Sequence, residues 1–181
     1  MKQISIRYWL LSSIVILIIL SGSAIAHQEH FKKMGVALPK IEKSAPDFNL
    51  KNLVGDSVAL NNFRGKTILL NFWATWCPPC VEELPSLENA WQRYRQQGLV
   101  VLAVSGEESD VVTSFLERLP SDITFPVLID GDMKSGNRWQ IRGLPTTVVV
   151  DRSGDVHWRA EGQLDFSASD VNKKLLALLD D

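Results

Sequence analysis

The run TILLNFW, Thr67 to Trp73, is interrupted in its apolar character only by Asn71. An extended strand turns successive side chains to opposite faces, so a strand without polar alternation needs cover on both. LVVLAVS (Leu99 to Ser105) and GLPTTVVVD (Gly143 to Asp151) contain runs of the same kind. Between the first two the periodicity changes. Val81, Leu84, Leu87, Trp91 and Tyr94 recur at intervals of three and four, with Glu82, Glu83, Glu88, Gln92 and Arg93 between them, the pattern of an amphipathic helix. Strands that alternate with helices predict an α/β fold, a central sheet flanked by helices.

The remaining elements fit around that frame. Val54-Gly55-Asp56 separates two short alternating runs, a hairpin signal. Pro78 and Pro79 suit a first helical turn, where a missing N–H costs little, and Pro85 is expected to kink the same helix. Gly98 should end it. SDVVTSFLERL reads as a helix capped by Ser109, with Val112, Phe115, Leu116 and Leu119 inward. FPVLID is a short strand, Asp132 to Ile141 a short helix, VHWRAEG a strand after a turn, and a terminal helix carries Val171, Leu175 and Leu178.

The N-terminus belongs to a different class. Lys2 and Arg7 precede the apolar stretch Tyr8 to Leu20, and Ala24-Ile25-Ala26 has the small-x-small pattern of a cleavage site, so residues 1–26 read as an export signal. The alternative is a retained anchor through residues 8–25, about 18 residues long and near the lower limit for a bilayer span. Either reading places the rest of the chain outside the cytoplasm. Residues 27–44 read as a tether and residues 45–181 as the folded domain. A formal charge of -2 without a basic run gives no footprint for nucleic acid.

Against that frame the chain's two cysteines stand together, as Cys77-Pro-Pro-Cys80 in NFWATWCPPC. Zinc needs four ligands, and no second cysteine pair supplies them; His27 and His30 lie in the tether and His157 is isolated. No metal or other cofactor is expected. A purely structural disulfide would close a loop of about four residues, for which chain entropy gives only about 2 kcal/mol. Redox chemistry suits the arrangement better. A thiolate at a helix N-terminus faces unpaired N–H groups and the positive end of the helix dipole, which lowers its pKa below about 8.5. Cys77 holds that position. Cys80, about one turn further in, should be less exposed and close enough to attack a mixed disulfide formed on Cys77.

NFWATWCPPC, with APDF (Ala45 to Phe48) and RGK (Arg64 to Lys66) upstream and GLPTT (Gly143 to Thr147) downstream, resembles the thioredoxin superfamily. Within it the chain is similar to the TlpA/ResA/CcmG group of exported or membrane-tethered thiol-disulfide oxidoreductases. The resemblance implies a thioredoxin-like fold: a central mixed β-sheet flanked by helices, with an N-terminal β-hairpin and an insert before the cis-proline strand. It also implies Cys77 as the attacking thiol, Cys80 as the resolving thiol, and a redox-active Cys77–Cys80 disulfide. Trp76, Leu144 and the cis-proline Pro145 would then bind substrate. Asn71 stands where cytosolic thioredoxins carry a buried Asp, and an amide cannot take the proton Cys80 must lose. The related group places a Glu near the site from an inserted stretch, which makes Glu107, then Glu108, the candidate bases. Their plainer role is as solvated acids opening a helix.

Exported protein thiols and disulfides are the expected partners, in cytochrome c or oxidase maturation among other settings, with a membrane electron donor. Reduction is the expected direction, because two prolines remove N–H donors that would stabilise the Cys77 thiolate, and a strong oxidant owes its potential to a stabilised reduced form. Two alternatives compete. A peroxiredoxin shares the APDF entry but carries a Thr three residues before its peroxidatic cysteine, where this chain has Ala74. A non-catalytic thioredoxin-like binding module would hold a partner and pass no electrons.

Overall fold

The computed structural model describes residues 44–179; the predicted signal or anchor and nearly all of the tether lie outside the described residues. Seven strands form one mixed sheet: β1 (Asn49–Asn52), β2 (Ser57–Ala59), β3 (Thr67–Trp73), β4 (Leu99–Ser105), β5 (Val127–Ile129), β6 (Thr146–Val150) and β7 (Val156–Glu161). Their order across the sheet is β2-β1-β5-β4-β3-β6-β7. β3, β4 and β5 run parallel; β1, β2, β6 and β7 join antiparallel to their neighbours. Four α-helices follow in chain order: α1 (Pro78–Tyr94), α2 (Ser109–Leu116), α3 (Lys134–Arg138) and α4 (Ser169–Leu179).

The apolar runs work as their lack of alternation requires. Leu69, Trp73, Val101, Ala103 and Val149 enter one core with Leu84 and Leu87 of α1, Val112 of α2 and Leu175 and Leu178 of α4. Ile68, Leu70, Phe72, Leu102, Val104 and Val148 enter a second core with Phe48, Leu60 and Trp139. Both faces of the central strands are thus buried, and every residue of β3 and β4 is out of solvent. Asn71 shares the face of Leu69 and Trp73, so its amide points toward the α1 side.

The N-terminal hairpin is β1–β2, with Gly55 at φ 93 in its turn. Ser44 bridges to Asp155, and the Ala45 N–H donates to the Gly154 carbonyl at 3.0 Å, tying the start of the described chain to the β6–β7 turn. Thr67 Oγ1 donates to the Leu178 carbonyl at 3.0 Å and docks the terminal helix on the first central strand. The stretch between β4 and β6 holds α2, β5 and α3.

Several local expectations shift. α1 runs through Pro85 to Tyr94, and a 3-10 turn over Arg95–Gln97 separates its end from Gly98. Glu108, not Ser109, occupies the position before α2, and it makes no side-chain cap. The short helix predicted over residues 132–141 contracts to Lys134–Arg138, because Met133 and Gln140 both adopt left-handed backbone, φ 55 and 53, at its two ends.

Candidate active site

β3 delivers the chain to the edge of the sheet, Ala74 to Trp76 turn it, and α1 begins at Pro78 with Cys77 as the capping residue. The Cys77 N–H donates to the Ala74 carbonyl at 3.2 Å, which closes that turn. Pro78 and Pro79 have no N–H to offer. The next two donors, the N–H groups of Cys80 and Val81, both reach the Cys77 carbonyl, at 3.0 and 3.1 Å. The first turn therefore presents far fewer open donors than an ordinary helix start. Cys77 and Cys80 are joined in a disulfide of 2.10 Å, with Cys77 4% exposed and Cys80 fully buried.

The segment Gly143 to Pro145 leads into β6. The Leu144–Pro145 peptide bond is cis. Gly162 N–H donates to the Pro145 carbonyl at 2.8 Å, and Thr146 Oγ1 donates to the Gly143 carbonyl at 2.7 Å, so both sides of that bend are tied. Leu144 packs against the core that contains both cysteines. Trp76 is 71% exposed, whereas Trp73 is 1% exposed and packs on Phe115. Trp76, Leu144 and Glu107 line one cavity.

Glu107 is bound to the turn before the dithiol. Its carboxylate accepts from the Thr75 N–H at 2.7 Å, Thr75 Oγ1 at 2.6 Å and Ser105 Oγ at 3.0 Å. It thereby clamps the segment two residues before Cys77 to the end of β4. Glu108 is exposed and does not line that cavity. Among the described residues no three His, Cys, Asp or Glu side chains converge as a metal site would require.

One acid sits elsewhere than its place in the helical pattern suggested. Glu83 falls between Leu84 and Val81 in the sequence and reads as part of the polar face; in the structure it is 1% exposed. Its Oε1 accepts from Asn71 Nδ2 at 2.7 Å, and its Oε2 from the Leu164 N–H at 2.9 Å. Asn71 Nδ2 also donates to Thr147 Oγ1 at 3.1 Å, across the β3–β6 ladder in which the two residues are partners. Burial pushes the Glu83 carboxyl up to about 7, while the two hydrogen bonds to its charged form pull the other way. The group is poised to give or take a proton near neutrality. Residues three apart on a helix are surface neighbours, about 5–6 Å between Cβ atoms, so Glu83 lies on the face of α1 that carries Cys80. The signal was available: Cys80, Leu87 and Tyr94 are all buried, and Glu83 lies on that same stripe.

A family model for the AhpC/TSA family matches residues 41–159, from before the hairpin to within β7. The chain belongs to the AhpC/TSA family. Within reach of this family membership, a protein from Bacillus cereus named thiol-disulfide oxidoreductase ResA is 34% identical over 157 residues, 85% of this chain and 88% of the relative. A thiol:disulfide interchange protein of the thioredoxin family from Chlorobium tepidum superposes with a TM-score of 0.63 at 26% identity, covering 78% of this chain and 99% of the other. The exposed lipoprotein thioredoxin Etrx1 of Streptococcus pneumoniae gives 0.62 at 26% identity, over 75% and 98%. The fold of this AhpC/TSA member is thioredoxin-like, and the chain is a thiol-disulfide oxidoreductase whose cysteine pair is Cys77–Cys80.

Proposed function

We propose that the chain reduces disulfides of proteins outside the cytoplasm, with Cys77 as nucleophile, Cys80 as resolving thiol and Glu83 as the group that takes the Cys80 proton. The observation that carries this reading is the buried Glu83 carboxyl, held near neutral pKa by burial and aimed by Asn71, on the helix face of the bonded cysteine pair. The Cys77 thiolate attacks one sulfur of the client disulfide. A Cys77–client disulfide forms, and the other client sulfur leaves as thiolate. Glu83 accepts the Cys80 proton, and the Cys80 thiolate attacks the Cys77 sulfur. The client's second thiolate leaves, two electrons have passed to it, and the Cys77–Cys80 disulfide remains. A dithiol donor then reduces the pair again.

Asn71 thus keeps a role although it cannot itself take a proton: it orients the carboxylate that can. Glu107 supports the same chemistry as the clamp on the Thr75 turn, with a direct part in proton transfer as a second role; Glu108 is the more distant candidate. Trp76, Leu144 and Pro145 form the surface that receives the client. Residues 1–26 as signal, or residues 8–25 as retained anchor, place the domain on the outer side of the membrane, where a membrane electron donor would recharge it. Exported proteins in cytochrome c or oxidase maturation are among the clients this chemistry suits. Among the described residues no helix is long and apolar enough to cross a membrane.

The direction of electron flow follows from the first turn of α1. With two prolines in place and both remaining donors on the Cys77 carbonyl, the thiolate gains less than in an oxidant whose reduced form is strongly stabilised. Equilibration with glutathione redox buffers should therefore give a potential nearer that of thioredoxin, about -270 mV, than that of DsbA, about -120 mV. A value near the latter would reverse the assigned direction. The peroxidase alternative meets Ala74 where a Thr is needed, and Cys77 is bonded to a partner three residues away.

A further inference from the structure

Arg159 is a cation inside the protein, 2% exposed although it stands on β7, the last strand of the sheet. The thiol chemistry does not use it. On the ladder it pairs with Val148, so its side chain lies on the sheet face whose core holds Val148 and Trp139. Burying a charge is costly unless its donors are matched, and an apolar side chain of similar volume is often as stable in such a place. The match here is specific. Nη1 donates to the Trp139 carbonyl at 3.1 Å, and Nη2 donates to the Gln140 carbonyl at 3.0 Å and to Glu161 Oε1 at 2.9 Å. Among the described residues its Nε finds no partner, so even this arrangement leaves one buried donor unmet.

The two carbonyls it takes are those at which α3 ends. Gln140 N–H donates to the Asn137 carbonyl and Ile141 N–H to the Gly136 carbonyl, each at 3.0 Å. These are the paired bonds of a Schellman motif, with Gln140 at φ 53 in the left-handed position where glycine is usual. They leave the carbonyls of Trp139 and Gln140, which the guanidinium holds. A side chain is disfavoured in that backbone conformation, so the turn depends on what ties it. From it Ile141 to Leu144 lead to the cis Leu144–Pro145 bond. The far end of this segment is tied from the same direction: Gly162, which follows β7, donates its N–H to the Pro145 carbonyl at 2.8 Å. One strand thus grips the segment where it starts and where it bends.

Where the segment lies matters for the dithiol. Thr146 pairs with Phe72, which puts the cis-proline bend at the end of the sheet where Ala74 to Trp76 turn the chain into Cys77. Ile141 and Leu144 line one cavity with Ala74 and Trp76. A shift at the end of α3 is therefore passed to the surface that receives the client. We propose that Arg159 is a positioning residue for disulfide exchange: through the carbonyls of Trp139 and Gln140 it fixes how residues 141–144 enter the cis-proline bend. The inference rests on the disulfide-reductase reading and adds to it a residue that touches neither cysteine. Arginine suits the task because its planar fork meets two carbonyls and a carboxylate together, which the single ammonium of lysine does not reproduce.

The test measures the second-order rate constant for oxidation of the reduced protein by two substrates, a short peptide bridged by one disulfide and the small bis(2-hydroxyethyl) disulfide. Wild type, Arg159→Lys and Arg159→Met are compared at a temperature where circular dichroism shows the variant folded. The peptide depends on the placement of the cis-proline segment and the small disulfide does so much less, so their ratio reads position. It should fall about tenfold in Arg159→Met and about threefold in Arg159→Lys. A residue that serves stability alone would lower the unfolding midpoint and leave the ratio at its wild-type value. An unchanged or higher ratio in Arg159→Lys overturns the proposal, also where Arg159→Met does not fold. The two levels separate cleanly. Wild type oxidised by both substrates, with a ratio insensitive to residue 159, leaves the reductase standing without this role for Arg159; wild type oxidised by neither removes both.

Discussion

A Cys80→Ser variant is expected to lose disulfide-reductase turnover by about a thousandfold or more while becoming a trap for its clients. The reason lies in the division of labour at the start of α1. Cys77 is the cysteine with residual exposure, at 4%, and it stands at the helix start; Cys80 is fully buried one turn further in. Cys77 can therefore form the mixed disulfide alone, but only Cys80 is placed to release it. Incubation of the reduced variant with extracytoplasmic extract should accumulate higher-mass species that disappear on adding dithiothreitol. Mass spectrometry of the captured partners names the clients. Cys77→Ser, by the same reasoning, should capture nothing. Trapping through Cys80 in that second variant, or undiminished turnover in the first, would contradict the assignment.

Replacing Glu83 by Gln is expected to slow resolution of the mixed disulfide about a hundredfold, the low end of what a positioned proton acceptor contributes. Gln keeps the shape; its oxygen can accept from the Leu164 N–H, and its Nε2 can donate to Asn71 Oδ1 once that amide turns over, so the loss reports the proton more than the packing. In the wild type the single-turnover rate should rise with pH through about 7, as the buried carboxyl ionises; in the variant that rise should vanish. The same group leaves a signature in stability. Its pKa in the folded protein, about 7, lies above the ordinary 4.5, so the folded state binds the proton more tightly than the unfolded chain. Its contribution is complete below about pH 4.5 and is lost as the pH rises through about 7, by roughly 3 kcal/mol at most. Urea unfolding of the wild type should show that decline over this window, and Glu83→Gln should flatten it. A variant with full resolution rate and an unchanged pH profile would remove Glu83 from the mechanism.

The parts of the fold that were readable from sequence are those governed by local periodicity. β3, β4 and β6 announce themselves because a strand buried on both faces cannot hide its composition, and α1 because its apolar stripe repeats over four turns. The turn at Gly55 follows from backbone chemistry that glycine alone satisfies cheaply. Glu83 escaped because charge normally means solvent, and a helix pattern read through Val81, Leu84 and Leu87 assigns it outward; the amide of Asn71 on β3, twelve residues away in sequence, and the Leu164 N–H together make its burial tolerable. The two oddities were linked: the amide that replaces a titratable side chain in β3 is the one that binds the titratable side chain in α1. The cavity beside Trp76 was less legible still, since Gly106, Met133 and Leu144 come from three separate segments and meet only through packing. Glu107, singled out from its place in the insert, does reach the dithiol turn, but through Thr75.

The account depends on Cys77 being the ionised, reactive sulfur of the reduced pair. The most direct measurement is the pH dependence of iodoacetamide alkylation of the reduced protein, with the modified residue identified by peptide mapping. Modification should fall on Cys77 first, with a midpoint below the free-thiol value of about 8.5 and well above the 3.5 or so of a strong oxidant. Prior modification of Cys80, or a midpoint for Cys77 at or above that of a free thiol, would contradict it.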